Sequence, residues 1–169
     1  SGATINRFCA SGLQAVASAA GHVASGFADV SIGAGVESIS MVQPVVAKTT
    51  VPEKRLLKTF PALWMPMIET ADILAKRYDV SREDCDAYAL ECQKRTAHAQ
   101  SSGYYEHEIV PMDTVMTVKD KEKGTSEDIK YTVSKDECNR PSTTLESLQG
   151  LQPVRGEDDP HATVTAGHA

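Results

Sequence analysis

The sequence holds no apolar run near the ~18 residues that a membrane-spanning helix requires. No basic, apolar and small-residue succession opens it as a secretory signal does. Positive charge is not in excess. Seventeen Lys and Arg stand against 23 Asp and Glu, a net charge of −6, which excludes a chain-wide field for nucleic acid while allowing a local basic patch to meet an anionic ligand. The four cysteines, Cys9, Cys85, Cys92 and Cys138, are scattered. They suit neither a disulfide framework nor the short chelating loops of zinc sites, so a reducing compartment such as the cytoplasm is expected, with an organelle matrix as the alternative. Repeats and low-complexity segments are absent too. What is present, 169 residues of which 41% are hydrophobic, describes an ordinary globular chain with one core, or a core and a smaller lobe.

Both ends carry a message. Too few residues precede Cys9 to build a full strand and loop, and "ATVTAGHA" reads as a strand entering a turn. We therefore expect a central segment of a longer chain.

From Ala10 to Ser25, small residues accompany Leu13, Val16, Ala17, Ala20 and Val23 at helical spacing, and Gly26 is a stop. "FADVSIGAG" (27–35) reads as a buried strand, giving an α/β pattern. Pro44, Pro52, Pro61 and Pro66 predict an irregular excursion over 42–66. A helix follows from Glu69, with Ala71, Leu74, Ala75 and Tyr78 on one face, and another from Ser81, where "SRED" has the form of a reciprocal capping box. This second helix runs to about Ser101 and ends at Gly103. "HEIVPMDTVMTV" and "EDIKYTVS" predict a hairpin around the charged "KDKEKGTSED". A short helix over "TTLESLQGL", capped by Thr143 or Thr144, precedes a final strand in "ATVTAG".

Chemistry centres on Cys9. A thiol at the first turn of a helix meets unpaired backbone N–H groups and the positive end of the dipole, which favour the thiolate and make a nucleophile. A buried cysteine packing as a small hydrophobe is the other reading, and the local residues leave both open. Cys85 and Cys92, seven apart on one helix, read as packing residues, and Cys138 as structural. "GAGVES" lacks the third glycine of a dinucleotide fingerprint and reads as a turn. His22, His98, His107, His161 and His168 each read as exposed or hydrogen-bonded side chains, and none is placed beside Cys9.

Taken together, "INRFCASGLQA", "GFADVSIGAGVESIS", "MIETADILA", "VSREDCDAYALECQKRTAHAQSSGYYEHEIVP", "DECNRPSTTLESLQGLQPV" and "ATVTAGHA" resemble, in order, successive motifs of the thiolases over essentially the whole chain. The resemblance implies a partial thiolase-like α/β fold. Residues 1–40 would be the end of the N-terminal half-fold, 41–160 the loop domain that binds coenzyme A, and 161–169 a strand returning to the half-fold. It implies that Cys9 is the catalytic nucleophile, forming an acyl-enzyme in 3-ketoacyl-CoA thiolysis or acetyl-CoA condensation. Coenzyme A or acyl-CoA would be the substrate, with no tightly bound cofactor and no metal. Arg140 and Ser147 match positions that contact the nucleotide end, and Met67 one near the pantetheine and acyl end. A surface arginine, a helix serine and a core methionine are their plain alternatives.

Two departures stand out. Trp64, Met65 and Pro66 precede Met67 where biosynthetic thiolases carry an aromatic and a His, and His168 stands where Asn is common. The family takes its Gly-His-Pro histidine and second cysteine from residues beyond 169, so the segment alone is expected to be inactive. The resemblance further implies a homodimer or homotetramer, with no nucleic-acid partner and no membrane span. A catalytically incomplete relative that binds coenzyme A or a partner chain, and a decarboxylating condensing enzyme of the same superfamily, are the alternatives.

Overall fold

A computed structural model describes residues 2–49, 51–120 and 124–168. Contacts divide the chain into two units, Ser1–Lys58 and Thr59–Ala169.

In unit 1, a tight turn over residues 6–11 opens α1 (Ser11–Ala24). Gly26 ends the helix at φ 70°, a left-handed conformation that glycine adopts without penalty. Segment 27–38 then passes close to α1. A Cβ on Gly33 would lie 2.9 Å from the Val16 Cα, so this approach requires glycine. The expected strand over 27–35 does not form. No strand among the described residues lies alongside to build a ladder, and Val30, Ile32 and Val36 are exposed rather than buried.

The proline-rich stretch is more regular than expected. Helix α2 (Ile39–Thr49) runs through Pro44. Helix α3 (Lys54–Thr59) is capped by Glu53, whose carboxylate accepts from the Leu56 N–H at 2.8 Å. That bond, and a second to the Arg55 backbone, hold the Glu53 carboxyl below the usual range. In unit 2, Pro61 opens a 3₁₀ turn over Pro61–Trp64, and Pro66 is the N-cap of α4 (Met67–Tyr78). Prolines at the start of a helix lose no backbone bond, so two of the four, Pro61 and Pro66, punctuate helices instead of preventing them.

Helix α4 ends at Asp79 in a left-handed conformation, φ 54°. Its inner face is not the predicted one. Ala71, Leu74 and Tyr78 are exposed and Asp72 is buried. Helix α5 (Arg82–Ser101) starts at Ser81, which accepts from the Asp84 N–H at 3.0 Å. The acidic arm of the expected box meets the Ser81 hydroxyl at 2.7 Å.

Strands β1 (Met112–Asp120) and β2 (Thr125–Val133) pair antiparallel, from Met112 opposite Val133 to Asp120 opposite Thr125. Two side-chain bonds between register partners fix the pairing, Thr117 to Asp128 and Thr132 to Asp113, each 2.6 Å. The strands thus extend into the stretch predicted as loop, while the tip, 121–123, lies outside the described residues. Helix α6 (Leu145–Gln149) begins at Thr144.

Among the described residues of unit 2, Leu148 and Ala162 are the buried apolar ones, accompanied by buried Asp72, Asp86 and Thr165. A Cβ on Gly167 would sit 2.5 Å from Leu148 Cδ2, so a larger residue there requires the buried Leu148 side chain to shift. "ATVTAG" makes a single bridge, Pro153 to Thr165, and no ladder. Its amides are taken by side chains instead: Thr163 and Val164 N–H donate to Asp72 at 2.9 and 3.0 Å.

Candidate functional site

The turn carrying Cys9 is tied from several sides. Asn6 Oδ1 accepts from the Phe8 N–H at 3.1 Å, and Ser11 Oγ accepts from the Arg7 N–H at 2.8 Å while donating to the Phe8 carbonyl at 2.7 Å. The Arg7 and Phe8 carbonyls accept from the amides of Ala10 and Ser11 at 3.1 and 3.0 Å. Phe8 is thereby held at φ 48°, left-handed for a bulky residue, at a cost of about 1–2 kcal/mol. Such local strain collects where a side chain must be presented in one direction.

Cys9 follows at the outside of the turn with an exposed, free thiol, one residue before the N-cap Ala10. Ala10 brings no side-chain acceptor and the first turn of α1 has no acid, so the helix start stays positive and the amides after Ser11 meet no capping side chain. Within the described residues nothing packs over the Cys9 thiol, which is exposed. His22, the histidine of unit 1, lies against Phe27 with ring centroids 5.2 Å apart, about 20 Å along the helix from Cys9.

In unit 2, Arg140 and Ser147 stand before and within the short helix α6. Arg140 starts a turn in which its carbonyl accepts from the Thr143 N–H at 3.0 Å and the Thr143 hydroxyl at 2.7 Å, leading into the α6 cap. Its own N–H donates to Gln93 Oε1 at 2.7 Å. The backbone is thus fixed, while the exposed guanidinium has no carboxylate partner among the described residues. Ser147 already has a task. Its hydroxyl accepts from the Thr144 N–H at 3.1 Å and donates to the Thr144 carbonyl at 2.7 Å, while the Ser147 N–H donates to Thr144 Oγ1 at 3.2 Å. Met67, at the start of α4, is 75% exposed, and Phe60, Leu63 and Trp64, which precede it in the chain, are exposed too.

The sequence reading did not find the polar cluster that holds unit 2 together. Asp86, 1% exposed, accepts both bonds of the Arg82 Nε fork at 3.0 Å and faces His168 Nε2 at 2.7 Å. His168 Nδ1 accepts from the Thr165 N–H at 3.2 Å, which makes Nε2 the protonated nitrogen and donor to Asp86. Arg82 also donates to the Leu148 and Leu151 carbonyls at 2.7 and 3.0 Å. Arg155 lies 3.6 Å from Asp72 and 3.7 Å from Glu69. The i, i+4 pair Arg82 and Asp86 was the available signal, but such a pair is usually a solvated face. Among the described residues, no group of three or more His, Cys, Asp or Glu could hold a metal ion.

The family model "Thiolase, N-terminal domain" matches residues 1–169. A 3-ketoacyl-CoA thiolase of Bacillus subtilis is 39% identical over 98% of this chain and 41% of its own length. The peroxisomal 3-ketoacyl-CoA thiolase of Homo sapiens is 41% identical over 98% and 37%, and a beta-ketoadipyl-CoA thiolase of Pseudomonas knackmussii is 40% identical over 99% and 42%. The chain thus spans about two fifths of the curated relatives it matches. Among solved structures, the dimeric peroxisomal thiolase of Saccharomyces cerevisiae superposes with TM-score 0.78 at 29% identity, over 96% of this chain and 38% of that one. Human mitochondrial 3-ketoacyl-CoA thiolase in complex with CoA gives 0.70 at 33%, over 96% and 40%. With an exposed thiol on a strained helix entry, and this match over its full length, the chain belongs to the thiolase family and corresponds to its N-terminal domain.

Proposed function

We propose that these residues are the nucleophile-bearing part of a coenzyme A-dependent acyltransferase acting on 3-oxoacyl-CoA thioesters. The observation that carries the reading is the Cys9 turn, where the Asn6 and Ser11 side chains hold Phe8 in a left-handed conformation and leave the thiol exposed at an uncapped helix start. Cys9 Sγ attacks the 3-oxo carbonyl. The bond between C2 and C3 breaks, acetyl-CoA leaves, and the shortened acyl group stays on sulfur as a thioester until coenzyme A takes it. The Cys9 backbone N–H is one donor to the oxyanion. The general acid and base come from outside the 169 residues, so this segment alone binds but does not turn over.

Residues 1–40 serve as the end of the N-terminal half-fold, 41–160 as the loop domain and 161–169 as the returning segment. The unpaired Arg140 guanidinium meets a phosphate or adenine of coenzyme A. The backbone beside Ser147 meets the nucleotide, and Met67, with Trp64 nearby in sequence, meets the pantetheine or acyl end. A homodimer is the working assembly, as in the yeast relative, and a homotetramer the larger alternative. No helix of the described residues is long and apolar enough to cross a membrane. The cytoplasm is the proposed location, and an organelle matrix the alternative that the peroxisomal and mitochondrial relatives support.

Calorimetric titration of the chain with coenzyme A tests the binding half. Saturable binding weakened about tenfold by Arg140→Ala supports it. Equal binding by parent and variant removes Arg140 from the site.

A further inference from the structure

The cysteines of unit 2 differ in environment. Cys85 is half-buried on α5, and burial, followed by the charges of Asp86 and Asp84, pushes its thiol above the usual range and keeps it protonated. Cys92 and Cys138 are exposed and free, and both line one open cleft of about 420 Å³, together with Gln93, Thr96, Gln100 and Asn139.

The cleft has one rigid and one irregular wall. Helix α5 carries Cys92. Cys138 sits in the stretch between β2 and α6, which has neither helix nor strand. Side chains of α5 hold that stretch on both sides of Cys138. Gln100 Nε2 donates to the Asp136 carbonyl at 3.1 Å, Asn139 Nδ2 donates to Gln100 Oε1 at 2.9 Å, and the Arg140 N–H donates to Gln93 Oε1 at 2.7 Å. Two accessible thiols are therefore kept on one small cleft, one on a regular helix and the other on a stretch with neither helix nor strand, where no backbone ladder opposes the ~5.5 Å Cα separation of a disulfide.

We propose that Cys92 and Cys138 form a dithiol modification site that reacts with low-molecular-weight disulfides and closes to an intramolecular disulfide. One protein thiolate attacks a sulfur of the small disulfide, forming a mixed disulfide and releasing one small thiolate. The second protein thiolate attacks the protein sulfur of that bond and expels the other. Two protein thiols lose two protons and two electrons, and the small disulfide is reduced to two thiols.

The test is titration of the full chain with oxidised glutathione, followed by peptide mapping without reductant. The expected product is a peptide pair joined through Cys92 and Cys138, with an oxidation equilibrium at least about tenfold more favourable in the native than in the guanidinium-unfolded chain. Cys92→Ser and Cys138→Ser each alter an exposed side chain, and each should leave one glutathione adduct on the remaining partner with the circular dichroism spectrum unchanged. Separate adducts on both cysteines, a bond from either to Cys9 or Cys85, or an equilibrium indifferent to denaturant would overturn the proposal.

Discussion

Two helix starts, one in each unit, use the same physics to opposite ends. At Thr144, hydroxyls of Thr144 and Ser147 satisfy the first amides of α6 from both directions. At Cys9, the N-cap is Ala10, no side chain covers the amides of α1, and the residue before the cysteine is held in a left-handed conformation. The capped start is built for stability. The uncapped, strained start gives up about 1 kcal/mol at the cap and a similar amount at Phe8, and what it gains is an exposed thiol beside available donors. The wider units follow the same division. Unit 2 directs its buried carboxylates at backbone and cations, whereas α1 buries none of its residues.

The contrast can be broken most severely at Asp86. Asp86→Ala strands Arg82 and His168 without their carboxylate, and urea unfolding should show a loss of about 3–5 kcal/mol in unit 2. Gly167→Ala drives a methyl against Leu148 and should cost about 1–3 kcal/mol in the same assay. The sharper pair is reciprocal. Thr144→Ala should lose about 1 kcal/mol, while Ala10→Ser should gain a similar amount and slow acylation of Cys9 by occupying a donor. A stabilised Ala10→Ser chain that acylates as fast as the parent would show that those donors play no part.

The smallest effect concerns Cys85. Because its thiol is pushed up, chiefly by burial, its carboxymethylation should rise at higher pH than that of a cysteine in the unfolded chain. The sign for stability follows. The folded chain holds this proton more tightly than the unfolded one, so stability falls as pH rises through the ordinary thiol range, which a pH series of urea melts will register.

Helices with clear ends were legible in the sequence because their signals are local: Gly26 and Gly103 at positive φ, Ser81 and Thr144 as caps. The prolines misled because Pro61 and Pro66 sit where a helix has no bond to lose, and α2 tolerates Pro44. The strands expected over 27–35 and 162–167 do not form because a strand is defined by its partner, which periodicity cannot supply. At the candidate site, the proposal of Cys9 as nucleophile comes from its sequence neighbours. The strain at Phe8 and the capping task of Ser147 were not, since both depend on backbone geometry. Asp72 and Asp86 escaped for a related reason. Burial of a carboxylate depends on amides and cations distant in sequence, Thr163 and Val164 for one and His168 for the other.

The most direct measurement is peptide mapping of a chain extended to the relatives' length, quenched during turnover with a 3-oxoacyl-CoA. The account predicts an acyl group in thioester linkage on Cys9, lost on addition of coenzyme A. A Cys9 that stays unmodified while acyl transfer proceeds would contradict it.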